Sequence, residues 1–150
     1  MEITSDVHRA LAVAAYNSTW ELLDIPDTER TDEQNEEMLR RAYASAYHWQ
    51  RATGYAPLNE ARTEWILSRV WRARGNGQLA MHYAEMCWQR TNDLGLTDFD
   101  LAYSLDAMAR AFSLLGEQES ARQWWDRAMS VEVANDGDRA QLLSDIGTAP

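Results

Sequence analysis

The chain has 150 residues, 45% of them apolar and 25% charged, and carries a formal net charge of −10. A chain of that length forms one ordinary domain, 1–150, burying roughly 70% of the surface its unfolded form exposes, and the composition excludes a disordered, collagenous or low-complexity polymer. The single cysteine, Cys87, excludes an intrachain disulfide framework and any cysteine-pair zinc motif.

In chain order, helical periodicity punctuated by Gly and Pro predicts seven helices and no strands. The first runs from about Asp6 to Asp24 with Val7, Leu11, Ala14, Ala15 and Leu22 on its buried side, and stops before Pro26. An acidic linker leads to Thr31, which with Gln34 forms a capping box opening a second helix. Its stripe is Met38, Leu39, Ala42, Ala46 and Trp49, and Gly54 stops it. A third helix, about 59–74, carries Ile66, Leu67, Val70 and Trp71 up to Gly75. A fourth, about 77–91, buries Leu79, Ala80, Tyr83, Ala84 and Cys87. Thr97 or Asp98 caps a fifth, about 98–115; a sixth spans about 118–134 beyond Gly116; a closing helix lies within 137–147 and carries Leu142, Leu143 and Ile146.

The longest apolar run, Ala10 to Tyr16, is short of the ~20 residues that span a bilayer. The opening segment Met1 to Asp6 lacks a basic signal region, so the cytoplasm is the expected compartment. The acidity of the whole argues against general affinity for nucleic acid or anionic membrane. The charge is uneven, however. Residues 1–37 hold ten acids against Arg9 and Arg30, whereas residues 40–74 hold seven arginines against Glu60 and Glu64.

The helices repeat. Laying residues 69–75 over 110–116 pairs Gly75 with Gly116, Ala80 with Ala121, Ala84 with Trp125 and Cys87 with Ala128, an offset of 41 residues. A weaker match of Trp49-Gln50-Arg51 to Trp88-Gln89-Arg90 makes 1–54 a degenerate first hairpin, followed by hairpins 59–91 and 98–134. Leu67, Trp71, Gly75, Ala80, Ala84 and Cys87, and again Met108, Phe112, Gly116, Ala121, Trp125 and Ala128, make residues 59–134 resemble the tetratricopeptide-repeat superfamily. The resemblance implies antiparallel helical hairpins stacked as a short right-handed α-solenoid. The chain departs from that pattern in a repeat longer than about 34 residues, in Ser68 or Ala109 at the small position after the Leu, and in lacking the closing Pro.

At 100° per residue the third helix turns Ile66, Leu67, Val70 and Ala73 inward and leaves Arg62, Trp65, Arg69 and Arg72 on the other side. In superfamily members that bind peptides, the matching positions line a concave groove, and the next unit supplies Tyr103, Asp106, Arg110 and Ser113. This set suits an extended acidic peptide, the guanidiniums forking its carboxylates and Trp65 or Tyr103 packing its apolar part. The opposing expectation is that Trp65 lies beneath the second helix and the arginines neutralise the acidic segment 27–37.

His8, His48 and His82 fall on different helices without a Glu-x-x-His pair, so no metal site is expected. His48, near a helix end, is expected to be partly charged through the helix dipole. Cys87 fills a packed small position, and the carboxylates Asp32, Glu33, Glu36 and Glu37 form a solvated first turn. With no phosphate loop, nucleophile elbow or metal motif, the sequence points to a non-catalytic protein or peptide interaction module without a cofactor. Self-association through an uncovered end helix goes with that reading. The alternatives are nucleic-acid contact through the Arg and aromatic residues of 40–74, or a helical bundle that binds a small ligand or catalyses a reaction.

Overall fold

The computed structural model describes residues 1–150 as seven helices without strands: α1 (Ser5–Leu23), α2 (Asp32–Trp49), α3 (Pro57–Ala73), α4 (Gly77–Asp93), α5 (Asp98–Leu114), α6 (Gln118–Met129) and α7 (Asp136–Ile146). Helices α1 and α2, α3 and α4, and α5 and α6 pack as hairpins. These stack through α2 on α3, α4 on α5 and α3 on α5, and α7 closes the array against α5. The result is an all-α solenoid of three hairpins and a final helix. No helix is long and apolar enough to cross a membrane.

Local chemistry sets the ends of these helices. The Thr31 hydroxyl accepts from the Gln34 amide while the Gln34 side chain accepts from the Thr31 amide, the expected capping box. Buried Arg30 closes the turn before it, donating to the carbonyls of Leu22 and Ile25 and pairing with Asp27. Helix α3 begins with Pro57 in its first turn, where the missing amide hydrogen costs nothing. Gly75 and Gly116 sit at φ +75° and +83° and close α3 and α5 with the same pair of bonds: Gly75 to Arg72 and Asn76 to Trp71, Gly116 to Ser113 and Glu117 to Phe112. The offset seen in sequence is therefore a repeated helix stop, in a backbone region that favours glycine.

The core runs through all three hairpins, from Leu22 and Met38 through Ile66, Val70, Ala84 and Cys87 to Met108 and Ala111. Much of it is alanine. Ala80 and Ala121, equivalent by repeat, are both buried, as are Cys87 and Ala128. Such small positions let backbones approach closely enough for Ser68 to donate to the Ala80 carbonyl across the α3–α4 pair. A second cluster, including Ala102, Leu105, Val133, Leu142 and Ile146, seats α7.

Three expectations are corrected. Helix α1 buries His8, Ala12, Thr19 and Leu22, whereas Val7 and Leu11 are exposed. As the end helix it has a hairpin partner on one side only, and buried Thr19 satisfies itself by donating to the Ala15 carbonyl. Helix α6 stops at Met129 rather than near 134, because Val133 drops into the second core and the Ala134 amide donates to Asp98. Helix α2 ends at Trp49, and Gly54 (φ +69°) follows a further turn instead of terminating it.

Candidate functional site

Residues from α1, α3 and α5, with Cys87 and Thr91 of α4, line a pocket of about 450 Å³. Helix α1 contributes Arg9, Val13, Tyr16 and Asn17, α3 contributes Arg62 and Trp65, and α5 contributes Phe99, Asp100 and Tyr103, with Trp49 at one rim. The pocket forms where the three helices each contribute an aromatic ring and a polar side chain, Tyr16 with Asn17, Trp65 with Arg62, and Tyr103 with Asp100. Tyr16 is deeply placed, and burial raises its phenol above the ordinary value.

The predicted site residues divide by what they touch. Arg62 makes a bidentate pair with Asp100 at 3.0 and 3.1 Å and lies over the Phe99 ring, so it ties α3 to α5. That pairing raises the Arg62 pKa. Tyr103 donates to Asp145 of α7 at 2.6 Å; burial first, then that carboxylate, raises its phenol. Asp106 is buried and accepts from Arg110 at 3.0 Å, and burial raises its carboxyl against the lowering effect of Arg110. Arg110 reaches on to the carbonyls of Ile146 and Thr148, fastening the end of α7.

Trp65 corrects the helical-wheel expectation. It is only 8% exposed, packed between Trp20 of α1 (5.5 Å between ring centroids) and Tyr103 (4.8 Å), because α3 is the central helix and has neighbours on nearly every side. Its cover is the first helix, not the second. Trp65 is the floor of the site rather than an exposed contact. Helix α1 is thus the first member of a hairpin and also a wall of the pocket.

Arg69 and Arg72 remain. The Arg69 guanidinium lies over both Trp20 (5.2 Å) and Trp65 (5.8 Å), and its Nη1 is buried without a hydrogen-bond partner. A buried donor left unmade costs about 1–3 kcal/mol. Burial, then Arg69 and Arg110, lower the Arg72 pKa. A cleft of about 10 Å³ opens among Trp65, Ser68, Arg69, Arg72, Asp106 and Arg110. The acidic segment neutralises other arginines: Glu36 holds Arg74 at 2.6 Å, and Glu37 holds Arg41 at 3.0 Å and Arg40 at 3.5 Å. Four of the seven arginines of 40–74 are therefore in ion pairs. The Arg74 Nε is a second buried donor without a partner.

Sequence reasoning missed one constellation. His8 and His48 meet Nδ1 to Nδ1 at 2.7 Å, joining α1 to the end of α2. The expectation of a partly charged His48 is reversed: burial first, then His8 and Arg51, lower its pKa below 6.5. The unfolded state holds more protons than the folded state between that lowered value and the ordinary one, so stability falls as pH drops below about 6.5. Thermal melts are expected to show this loss as pH is lowered from about 6.5, and His48→Gln should flatten it; an unchanged slope would show that the pair does not set the pH dependence. Cys87 borders the pocket, but burial pushes its thiol up to about 12, so packing is its role in this fold.

Comparison with protein-family models, with curated proteins and with solved structures finds no match. Fold and site define a helical-hairpin solenoid with an aromatic-lined pocket among α1, α3 and α5.

Proposed function

We propose that the chain is a non-catalytic interaction module that receives an extended segment of a partner protein along α1, α3 and α5. The observation that carries this reading is the 450 Å³ pocket: nine of its sixteen lining residues are hydrophobic. Such a lining suits an apolar side chain held between convergent polar groups. Beyond Trp65 the face continues into Arg69 and Arg72, which favour an acidic neighbour on the same segment. Membership of the tetratricopeptide-like class belongs to the same proposal, supported by the matching stops at Gly75 and Gly116. So does a reducing, cytoplasmic compartment, supported by the lone free thiol. A second reading, binding of a free small ligand, draws on the same cavity, whose size falls within the ~300–1,000 Å³ of small-molecule sites.

Asn17 lines the pocket from an exposed position on α1, so Asn17→Trp should obstruct it while changing unfolding free energy by less than about 0.5 kcal/mol. Selection from a random peptide display library is expected to enrich binders on the wild-type chain and none on the variant. Equal enrichment on both would move the contact elsewhere. No enrichment on the wild type would sink the peptide reading and leave the small-ligand one.

A further inference from the structure

We propose that His8 and His48 form a proton-operated latch: the second proton taken up by the pair releases the start of α1 from the end of α2 and opens the rim of the pocket. This holds whichever ligand the pocket takes.

The contact itself sets the proton count. Two Nδ1 atoms at 2.7 Å hold one proton between them, one ring donating and the other accepting. A first added proton leaves that bond in place, because an imidazolium donates to a neutral imidazole. A second sets donor against donor and puts two positive rings 4.9 Å apart between centroids. The neighbours do not offset that charge. The Tyr47 ring lies 6.3 Å from His8 and 5.2 Å from His48, with the Arg51 guanidinium over its face at 3.8 Å. On α1, Arg9 follows His8, and Asp6 lies about 200° around the helix from it. Every ion pair of the chain joins an arginine to a carboxylate, so neither histidine has an acidic partner. The two rings therefore titrate as a coupled pair whose second step is displaced to lower pH.

What the pair holds follows from burial. Among residues 5–11 of α1 only His8 is buried, and Val7 and Leu11 face outward. The other ties of this segment run to the exposed turn after α2: the Thr53 amide donates to the Ser5 carbonyl at 3.0 Å, and Arg9 donates to the Thr53 carbonyl at 3.1 Å. The rest of α1 is anchored separately. Ser45, Arg41 and Arg30 donate to the carbonyls of Ala12, Ser18 and Leu22. The start of the helix can thus part from α2 while the remainder stays packed, as weakly buried end segments open before the core. Arg9 beside His8 and Trp49 beside His48 both line the pocket, the guanidinium 5.3 Å from the ring. Separating the histidines parts these two lining residues.

Nuclear magnetic resonance of the full chain from about pH 7.5 to about pH 5 tests this, following the imidazole nitrogens and amide hydrogen exchange corrected for the intrinsic pH dependence. Through the second imidazole step, protection of amides 9–13 is expected to fall at least about tenfold, while amides 107–111 in the α5 core keep theirs. Cys87, the only cysteine, lines the pocket and reports its opening. Its labelling by a dithiodipyridine, relative to free cysteine at the same pH, should rise in the same step. In His48→Gln, whose amide takes up no proton, protection and labelling should stay level across the range. The comparison of α1 with α5 uses the wild-type chain and stands even where the variant fails to fold. Equal loss of protection in every helix overturns the latch in favour of global acid unfolding. Full protection of amides 9–13 with both imidazoles charged, or a second imidazole that stays neutral down to about pH 5, overturns it as well.

Discussion

Trp65→Ala is expected to lower the unfolding free energy by about 3–5 kcal/mol, the range for truncating a buried aromatic residue. The ring is 8% exposed and joins three helices at once, through Trp20 of α1 and Tyr103 of α5. Its removal opens a void beneath the pocket and takes away one of the two rings over Arg69. Urea titration should show a lower midpoint with an unchanged slope. The experiment separates two pictures of α3, because an exposed groove residue, as the helical wheel places Trp65, would change stability by no more than about 0.5 kcal/mol when truncated.

Arg90→Ala is expected to cost about 1–3 kcal/mol at neutral pH, the range for leaving a buried polar group without its partner where the partner itself is reached by solvent. The Glu64 side chain is only 2% exposed and receives three hydrogen bonds from Arg90, at 2.7, 2.9 and 3.0 Å, tying α3 to α4. Removing the arginine leaves that carboxylate buried and unpaired. Glu64→Gln should cost less, since Arg90 is 35% exposed and can turn to water. Joint replacement by Glu64→Leu and Arg90→Leu is expected to recover most of the loss, because buried ion pairs often give way to apolar packing at little cost. A double-mutant cycle by denaturant unfolding measures the coupling, and a value near zero would show that the pair contributes nothing to the α3–α4 contact.

Helix number, helix order and the stops of α3 and α5 were legible in the residues because they depend on local chemistry, whereas the ends of α2 and α6 were not. The capping box at Thr31 and Gln34, Pro57 at the start of α3, and the glycines closing α3 and α5 act within a few residues of chain. The repeat was legible because small residues recur at equivalent buried positions, Ala80 with Ala121 and Cys87 with Ala128. At the site, the sequence singled out the right stretch of α3 but not the state of its side chains. Arg62 and Arg110 looked alike as exposed cations, yet each is engaged, one by Asp100 and the other by Asp106 and the end of α7.

Periodicity within one helix reports that a side is apolar. It does not report how many neighbours the helix has. The amino-acid sequence by itself therefore determined an all-helical chain of seven elements with repeated stops. Tertiary structure alone decided that α3 is enclosed on nearly every side, that Val7 and Leu11 of α1 stay uncovered, and that His8 meets His48. It also decided which arginines have no carboxylate. Burial and the ion pairs between helices are set by residues distant in the chain, such as Trp20 over Trp65 and Asp100 beside Arg62, whose approach depends on the angle at which whole hairpins pack.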